Sequence, residues 1–144
     1  MKFQRIKNIR EDMELTQQQV ADKLKVSRGT YSMWETANDI IPLKKLNELA
    51  NLFDVSLDYI LELSNTKSYG SVPIEIDNQV VGNNLYNIRK ELGLSQNKLA
   101  TTLSTNQSSW SEYEKGKYLI PTLIIYEMAK KYNLSVDRIL GKIK

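Results

Sequence analysis

Side chains suited to charge recognition and directed hydrogen bonding recur in pairs 79 residues apart: Arg10 and Arg89, Gln17 and Gln96, Glu35 and Glu114, Asp58 and Asp137. Guanidinium, amide and carboxylate groups can grip a partner through several donors or acceptors at once. Turnover asks for more. The chain has no histidine and no cysteine, which removes zinc-finger ligands, nucleophile–base triads and the commonest general base. Carboxylates leave acid–base chemistry available in principle, but no glycine-rich phosphate loop or metal-spaced acidic cluster accompanies them. The expectation is a protein with no catalytic residue, no bound metal and no cofactor.

The elements that position these residues are themselves duplicated. Leu15-Thr16-Gln17-Gln18-Gln19-Val20-Ala21-Asp22-Lys23-Leu24 returns as Leu94-Ser95-Gln96-Asn97-Lys98-Leu99-Ala100-Thr101-Thr102-Leu103. Ile6–Leu61 aligns with Leu85–Leu140 without a gap, and 17 of those 56 positions are identical. A repeat of that size means two copies of one compact helical domain. The boundaries read as domain one over residues 1–63, a linker over 64–83 and domain two over 84–144. About 60 residues suffice for a small helical bundle. With 41% hydrophobic and 26% charged residues among 144, the composition is that of a soluble globular protein. No apolar run reaches the roughly 20 residues that cross a bilayer, and Met1-Lys2-Phe3-Gln4-Arg5-Ile6-Lys7 is too polar for a signal peptide. The expected location is the cytoplasm, away from membranes.

Hydrophobic spacing predicts an all-α architecture of two five-helix domains. In copy one a first helix carries Phe3, Ile6, Ile9, Arg10 and Met13. A second follows the cap Thr16 and buries Val20, Ala21 and Leu24. A third runs from Ser27 to about Thr36, with Thr30, Tyr31, Trp34 and Glu35 inward. A fourth opens at Pro42 and a fifth at Ser56. Copy two repeats these over Leu85 to Leu92, Gln96 to Leu103, Gln107 to Lys115, Thr122 to Tyr132 and Val136 to about Ile143. Ser, Asn, Thr, Gly and Pro break the helical period between the copies. There Val72–Ile76 and Gln79–Val81 flank Asp77-Asn78, which reads as a short β-hairpin or as an extended linker docked on a domain. Twenty such residues reach roughly 66 Å at full stretch.

Charge is uneven. Residues 1–63 hold 9 basic and 10 acidic side chains, residues 64–83 hold 1 and 2, and residues 84–144 hold 10 and 5. The net +3 therefore comes from the second copy, the better electrostatic candidate for a polyanion such as nucleic acid.

Both copies resemble the lambda-repressor-like helix-turn-helix domains of the Xre/Cro/repressor family. The resemblance rests on Ile9-Arg10 and Ile88-Arg89, the Leu-Thr/Ser-Gln leading into helix two, the small Ala21 and Ala100, Trp34-Glu35 and Tyr113-Glu114, and Ile-Pro before helix four. Val55-Ser56-Leu57-Asp58 and Leu134-Ser135-Val136-Asp137 complete it. It implies sequence-specific binding of double-stranded DNA, usually to control transcription and most simply as a repressor. It also implies structural ion pairs, Arg10 with Glu35 and Arg89 with Glu114, between helices one and three. Independently, two helices that cross steeply need small residues at the contact, and Ala21 and Ala100 qualify.

Gln17 and Gln96 stand at the amino end of helix two, where unpaired N–H groups favour a phosphate, so each is expected to clamp the DNA backbone. Base reading is expected on the outer face of helix three. In copy two that face offers Asn106, Gln107, Ser108 and Glu112, with Ser109 near the backbone. In copy one it offers Ser27, Arg28, Gly29 and Met33, with Thr30 aligned to Ser109. Gln107 suits adenine, Arg28 suits guanine or a phosphate, Glu112 a cytosine amino group, and Met33 a thymine methyl. Lys115 and Lys117 flank Gly116 in a loop expected to follow phosphates, and Gly116 fits the family's left-handed helix ending. Copy one has Thr36-Ala37-Asn38-Asp39 there, without glycine or positive charge. Tyr31, Trp34, Trp110 and Tyr113 fall where the family places core residues.

Two functions compete on these residues. One is a DNA-binding regulator whose single chain supplies two unlike heads. The other is an antitoxin or interaction protein in which domain two binds DNA and domain one binds a protein. Homodimerisation through the apolar Val72, Ile74, Ile76, Val80 and Val81 is a further option.

Overall fold

The computed structural model describes residues 2–70 and 72–143. Among these the secondary structure is helical, with no strand. The chain divides into two units, Met1–Tyr69 and Gly70–Lys144. The first holds α1 (Gln4–Asp12), α2 (Gln17–Leu24), α3 (Arg28–Glu35), α4 (Leu43–Phe53) and α5 (Leu57–Ile60). The second holds α6 (Asn78–Glu91), α7 (Gln96–Thr101), α8 (Gln107–Glu114), α9 (Thr122–Tyr132) and α10 (Val136–Ile139).

Local chemistry sets most boundaries. Thr16 accepts the Gln19 backbone N–H at 3.1 Å while its own N–H donates to the Gln19 side chain at 2.8 Å, a reciprocal cap on α2. Ser27, Ser56, Ser95, Asn106 and Ser135 each accept the backbone N–H three residues on. α7 ends two residues before the expected Leu103. The Thr101 and Thr102 hydroxyls donate to the Lys98 and Leu99 carbonyls, a competition that weakens the end of a helix. α10 stops at Ile139 rather than near Ile143, because the chain turns at Gly141 with φ +82°.

Each core is apolar and closed. Ile6, Val20, Ala21, Tyr31, Leu46, Leu49, Leu57 and Ile60 have no exposed surface in the first unit, nor do Leu85, Leu99, Ala100, Trp110, Ile125 and Val136 in the second. Ala21 and Ala100 have no exposed surface, and α2 packs on α3 as α7 packs on α8.

In the segment between the repeats the hairpin does not form, and its last residues are helical. Asn78–Glu91 is one continuous helix, so Gln79, Val80 and Val81 are helical. Asp77 acts as its N-cap, accepting from the backbone N–H groups of Gln79 and Val80 at 2.8 and 3.3 Å. Val81 is buried and Val80 is 42% exposed, so these valines are not part of an apolar linker strand.

At the other end, residues 64–69 dock on the first unit. Ser56 donates its N–H to the Lys67 carbonyl at 2.6 Å and its hydroxyl to the Thr66 carbonyl at 2.8 Å. Arg5 donates to the Tyr59 and Ser64 carbonyls and to Asn65 Oδ1 at 2.7–2.8 Å, and its guanidinium lies 4.2 Å from the Tyr59 ring centre. The Tyr69 hydroxyl donates to the buried Asp58 carboxylate at 2.8 Å. A free twenty-residue linker is therefore not formed, since residues 64–69 belong to the first unit and 78–83 to α6.

The repeats share left-handed turns but not the residues that favour them. Glu14, Ala37 and Glu62 have φ of +58°, +64° and +60°, where the second copy has Gly93, Gly116 and Gly141 at +71°, +74° and +82°. Copy one thus keeps the turn after α3 without its glycine, at a steric cost of about 1–2 kcal/mol for a side-chain-bearing residue. Ala37→Gly is therefore expected to stabilise the first unit by about 1 kcal/mol, a rise of several degrees in its melting temperature. Thermal unfolding followed by circular dichroism checks it; an unchanged or lower midpoint counts against it.

Candidate nucleic-acid interface

The geometry is built outward from a buried carboxylate. In the first unit Arg10 Nε donates to Glu35 Oε2 at 2.7 Å and Arg10 Nη2 to Glu35 Oε1 at 3.0 Å, while Nη1 donates to the Leu15 carbonyl at 2.8 Å. In the second, Arg89 makes the same three bonds at 2.6, 3.1 and 2.9 Å to Glu114 and the Leu94 carbonyl. Only 3% and 7% of the Glu35 and Glu114 side chains is exposed. A planar fork on a planar carboxylate fixes orientation as well as distance. Each pair ties the last turn of α3 or α8 to α1 or α6.

A third group joins each pair. The Gln17 amide donates to Glu35 Oε1, and the Gln96 amide to Glu114 Oε1, both at 3.1 Å. The first residue of α2 or α7 is thereby pinned to the end of the following helix. An amide has two N–H donors, so this bond sets the plane of the side chain and leaves a second donor for an outside acceptor. Sequence reasoning assigned these glutamines to phosphate alone. The link to the glutamates was visible as a shared interval of 18 residues in both copies.

The two carboxylates are completed differently. Trp110 Nε1 donates to Glu114 Oε2. Its counterpart Tyr31 is buried with a hydroxyl that has no partner of hydrogen-bonding geometry, as is the Trp34 indole N–H. Burial first, and the Glu35 carboxylate second, push the Tyr31 hydroxyl well above the ordinary phenol range. The aromatic pairs Tyr31–Trp34 and Trp110–Tyr113 exchange places yet keep one arrangement, edge to face with centres 6.1 and 6.0 Å apart. Burial alone would raise the carboxyls of Glu35 and Glu114. The bonds from Arg10 and Gln17, and from Arg89, Gln96 and Trp110, outweigh it and hold both below 4.5.

The outward faces of α3 and α8 are unlike. On α8, Gln107 and Ser108 are exposed, whereas Ser109 and Glu112 are half-buried. Asn106 spends its carbonyl capping the Ser109 N–H at 2.9 Å, which leaves its amide N–H groups to point elsewhere. Lys115 is exposed. Lys117 pairs loosely with Glu112 at 3.6 Å and lies 5.5 Å from the Tyr118 ring centre. On α3, Arg28 and Gly29 are exposed and Met33 is 40% exposed. Thr30 is half-buried, and its hydroxyl accepts from Ser27 at 2.9 Å. The loop after α3 brings no cation to this surface.

Two features near α8 escaped the sequence. The first turns of α6 lie against its carboxyl end: a Cβ on Gly82 would stand 2.6 Å from the Glu114 carbonyl oxygen and 2.7 Å from that of Tyr113. Gly116 is in turn crowded by Gln79, whose Cα would be 3.0 Å from an added Cβ. The absence of any counterpart in copy one, which has Phe3 where copy two has Gly82, was the available signal.

Among the described residues there is no cluster of three or more His, Cys, Asp or Glu able to hold a metal ion, and no helix long and apolar enough to cross a membrane.

Residues 6–60 match a family model described as helix-turn-helix, and residues 82–143 match a second described as helix-turn-helix domain. Among curated proteins the chain is similar to the uncharacterized HTH-type transcriptional regulator YobD of Bacillus subtilis (strain 168), 41% identical over 64 residues, 44% of this chain and 57% of the relative. It is also similar to the uncharacterized HTH-type transcriptional regulator YqaE of the same strain, 40% identical over 57 residues, 40% of this chain and 49% of the relative. The chain thus spans about half the length of the curated relatives it matches. No solved structure matches it significantly.

Proposed function

Since this chain belongs to the helix-turn-helix proteins and carries two such domains in tandem, an arrangement typical of Xre/Cro-like regulators, we propose that it is a sequence-specific DNA-binding regulator of transcription. Its two heads read different half-sites. The observation that carries this reading is the contrast within α8. Its carboxyl end is locked by the Arg89–Glu114 fork, while Gln107 and Ser108 near its amino end stay exposed. A helix held rigid behind and polar in front is what a major groove accepts.

Roles follow from place. Gln107 and Ser108 read base edges, with Asn106 and Ser109 beside them, and Lys115 and Lys117 follow phosphates. Glu112 tempers Lys117 and disfavours phosphate close to itself. Gln17 and Gln96 offer their remaining N–H to the DNA backbone, which sets register rather than sequence. In the first head Arg28 supplies the cation and Met33 the apolar contact. The names of the two relatives, both HTH-type transcriptional regulators, agree with this reading. The antitoxin alternative gains nothing from them.

In vitro site selection with the intact chain tests the proposal. Gln107→Ala is expected to relax preference at one base pair by about 1–3 kcal/mol. Gln96→Ala is expected to weaken all sequences alike, with some loss of stability from its bond to Glu114. A selected motif with one half-site, unchanged by Arg28→Ala, would restrict DNA reading to the second head.

A further inference from the structure

Gly29 has no structural reason to be glycine. It lies in the first turn of α3, and its φ is not in the left-handed region. A Cβ there would meet only the Ser27 hydroxyl oxygen, at 4.0 Å, an ordinary contact with space beyond. Within a helix, glycine in place of alanine costs roughly 0.5–1 kcal/mol. The fold would gain from a side chain at this site, and the duplicated domain has one, Ser108.

The surroundings say what the missing side chain makes room for. Met33 is one turn along on the same face and 40% exposed. The Thr30 hydroxyl is engaged with Ser27 in the helix cap. Between Arg28 and Met33 the outer face of α3 thus presents bare backbone and a thioether. At the places matching Gly29 and Met33, α8 presents Ser108 and Glu112, each a hydrogen-bonding group, whereas Gln107 aligns with Arg28. Gly29 and Met33 offer no strong side-chain donor or acceptor with which to distinguish bases, and that capacity belongs to the neighbouring Arg28. The major groove offers Gly29 and Met33 one apolar feature, the C5-methyl of thymine. Methionine is unbranched and polarisable, and adapts well to such a contact.

We propose that Gly29 and Met33 form a recess that receives a thymine methyl group, so that the first head selects thymine at one base pair by shape. This rests on the reading of the first head as a DNA-binding element, and the test separates the two.

The probe is the operator recovered with the intact chain, resynthesised with deoxyuridine replacing one thymidine at a time. That exchange removes the methyl group and nothing else. At one position in the first head's half-site, deoxyuridine is expected to weaken binding about fourfold, the equivalent of one buried methyl group. Gly29→Ser and Met33→Ala should both bring that ratio to near one. Gly29→Ala should also lose the discrimination while raising the melting temperature of the first unit, which shows that the loss is not misfolding. A protected half-site indifferent to every deoxyuridine, or a penalty that survives Gly29→Ser, overturns the recess alone. A footprint without any half-site for the first head, unaffected by Arg28→Ala, overturns the two-headed reading and the recess with it.

Discussion

Glu35→Ala is expected to remove about 3–5 kcal/mol from the first unit, a large share of the stability that a domain of its size holds. The substitution removes the acceptor of two guanidinium bonds and of the Gln17 amide bond. Arg10 is then left with only the Leu15 carbonyl, in a place where 11% of its side chain is exposed. Breaking a buried ion pair by removing one partner costs about 3–5 kcal/mol. A domain of this size holds roughly 3–9 kcal/mol in total. Thermal unfolding by circular dichroism and amide exchange on the intact chain should show a much lower melting temperature and much weaker protection for the first unit's helices, while those of the second are unchanged. Full protection of α1 and α3 in the variant would contradict the argument.

The same carboxylates set the acid limit. Their folded-state pKa values lie below 4.5. The stability they contribute is therefore complete above about 4.5, the unfolded value, and is lost as pH falls through the lower folded values. Unfolding should set in below pH 4.5, and Glu35→Gln should flatten the dependence for the first unit.

Gly82→Ala should destabilise the second unit by about 1–3 kcal/mol, the usual cost of overpacking, despite the better helix propensity of alanine. The clash at 2.6 Å is with backbone, the carbonyl of Glu114, and the Glu114 side chain is held in the Arg89 fork. Either α6 lifts from α8 or the fork gives way. The melting temperature of the second unit should fall by about 4–8 °C for each kcal/mol. A neutral result would mean that the first turns of α6 do not pack on α8 in solution.

Much of this fold was legible because its signals are local or repeated. The caps Thr16, Ser27 and Ser56 and the inward set Val20, Ala21 and Leu24 are matters of spacing within one element. What escaped depends on residues distant in the chain. Asp77-Asn78 serves equally as a turn or as a helix start, and Gln79-Val80-Val81 is too short for its period to decide. The choice is made by Val81 and Gly82 packing within the second unit. The docking of residues 64–69, in keeping with one of the two readings offered for the linker, rests in part on Arg5, 59 and 60 residues before Ser64 and Asn65. At the candidate site the outward residues were readable from alignment. The engagement of Gln17 and Gln96 by the buried glutamates left only a repeated interval of 18 residues as its sign, since one side chain can serve both an internal and an external acceptor.

The docking of residues 64–69 on the first unit also bears on avidity. On the proposed two-headed reading, once one head is bound the other searches a volume set by the reach of the connecting chain, and the local concentration it experiences rises as that reach shrinks. A leash shortened by the docking of 64–69 and by the inclusion of 78–83 in α6 confines the search to nearby sites. Operators with their halves moved apart by successive turns should then lose cooperative occupancy abruptly, instead of fading over a broad range of spacings.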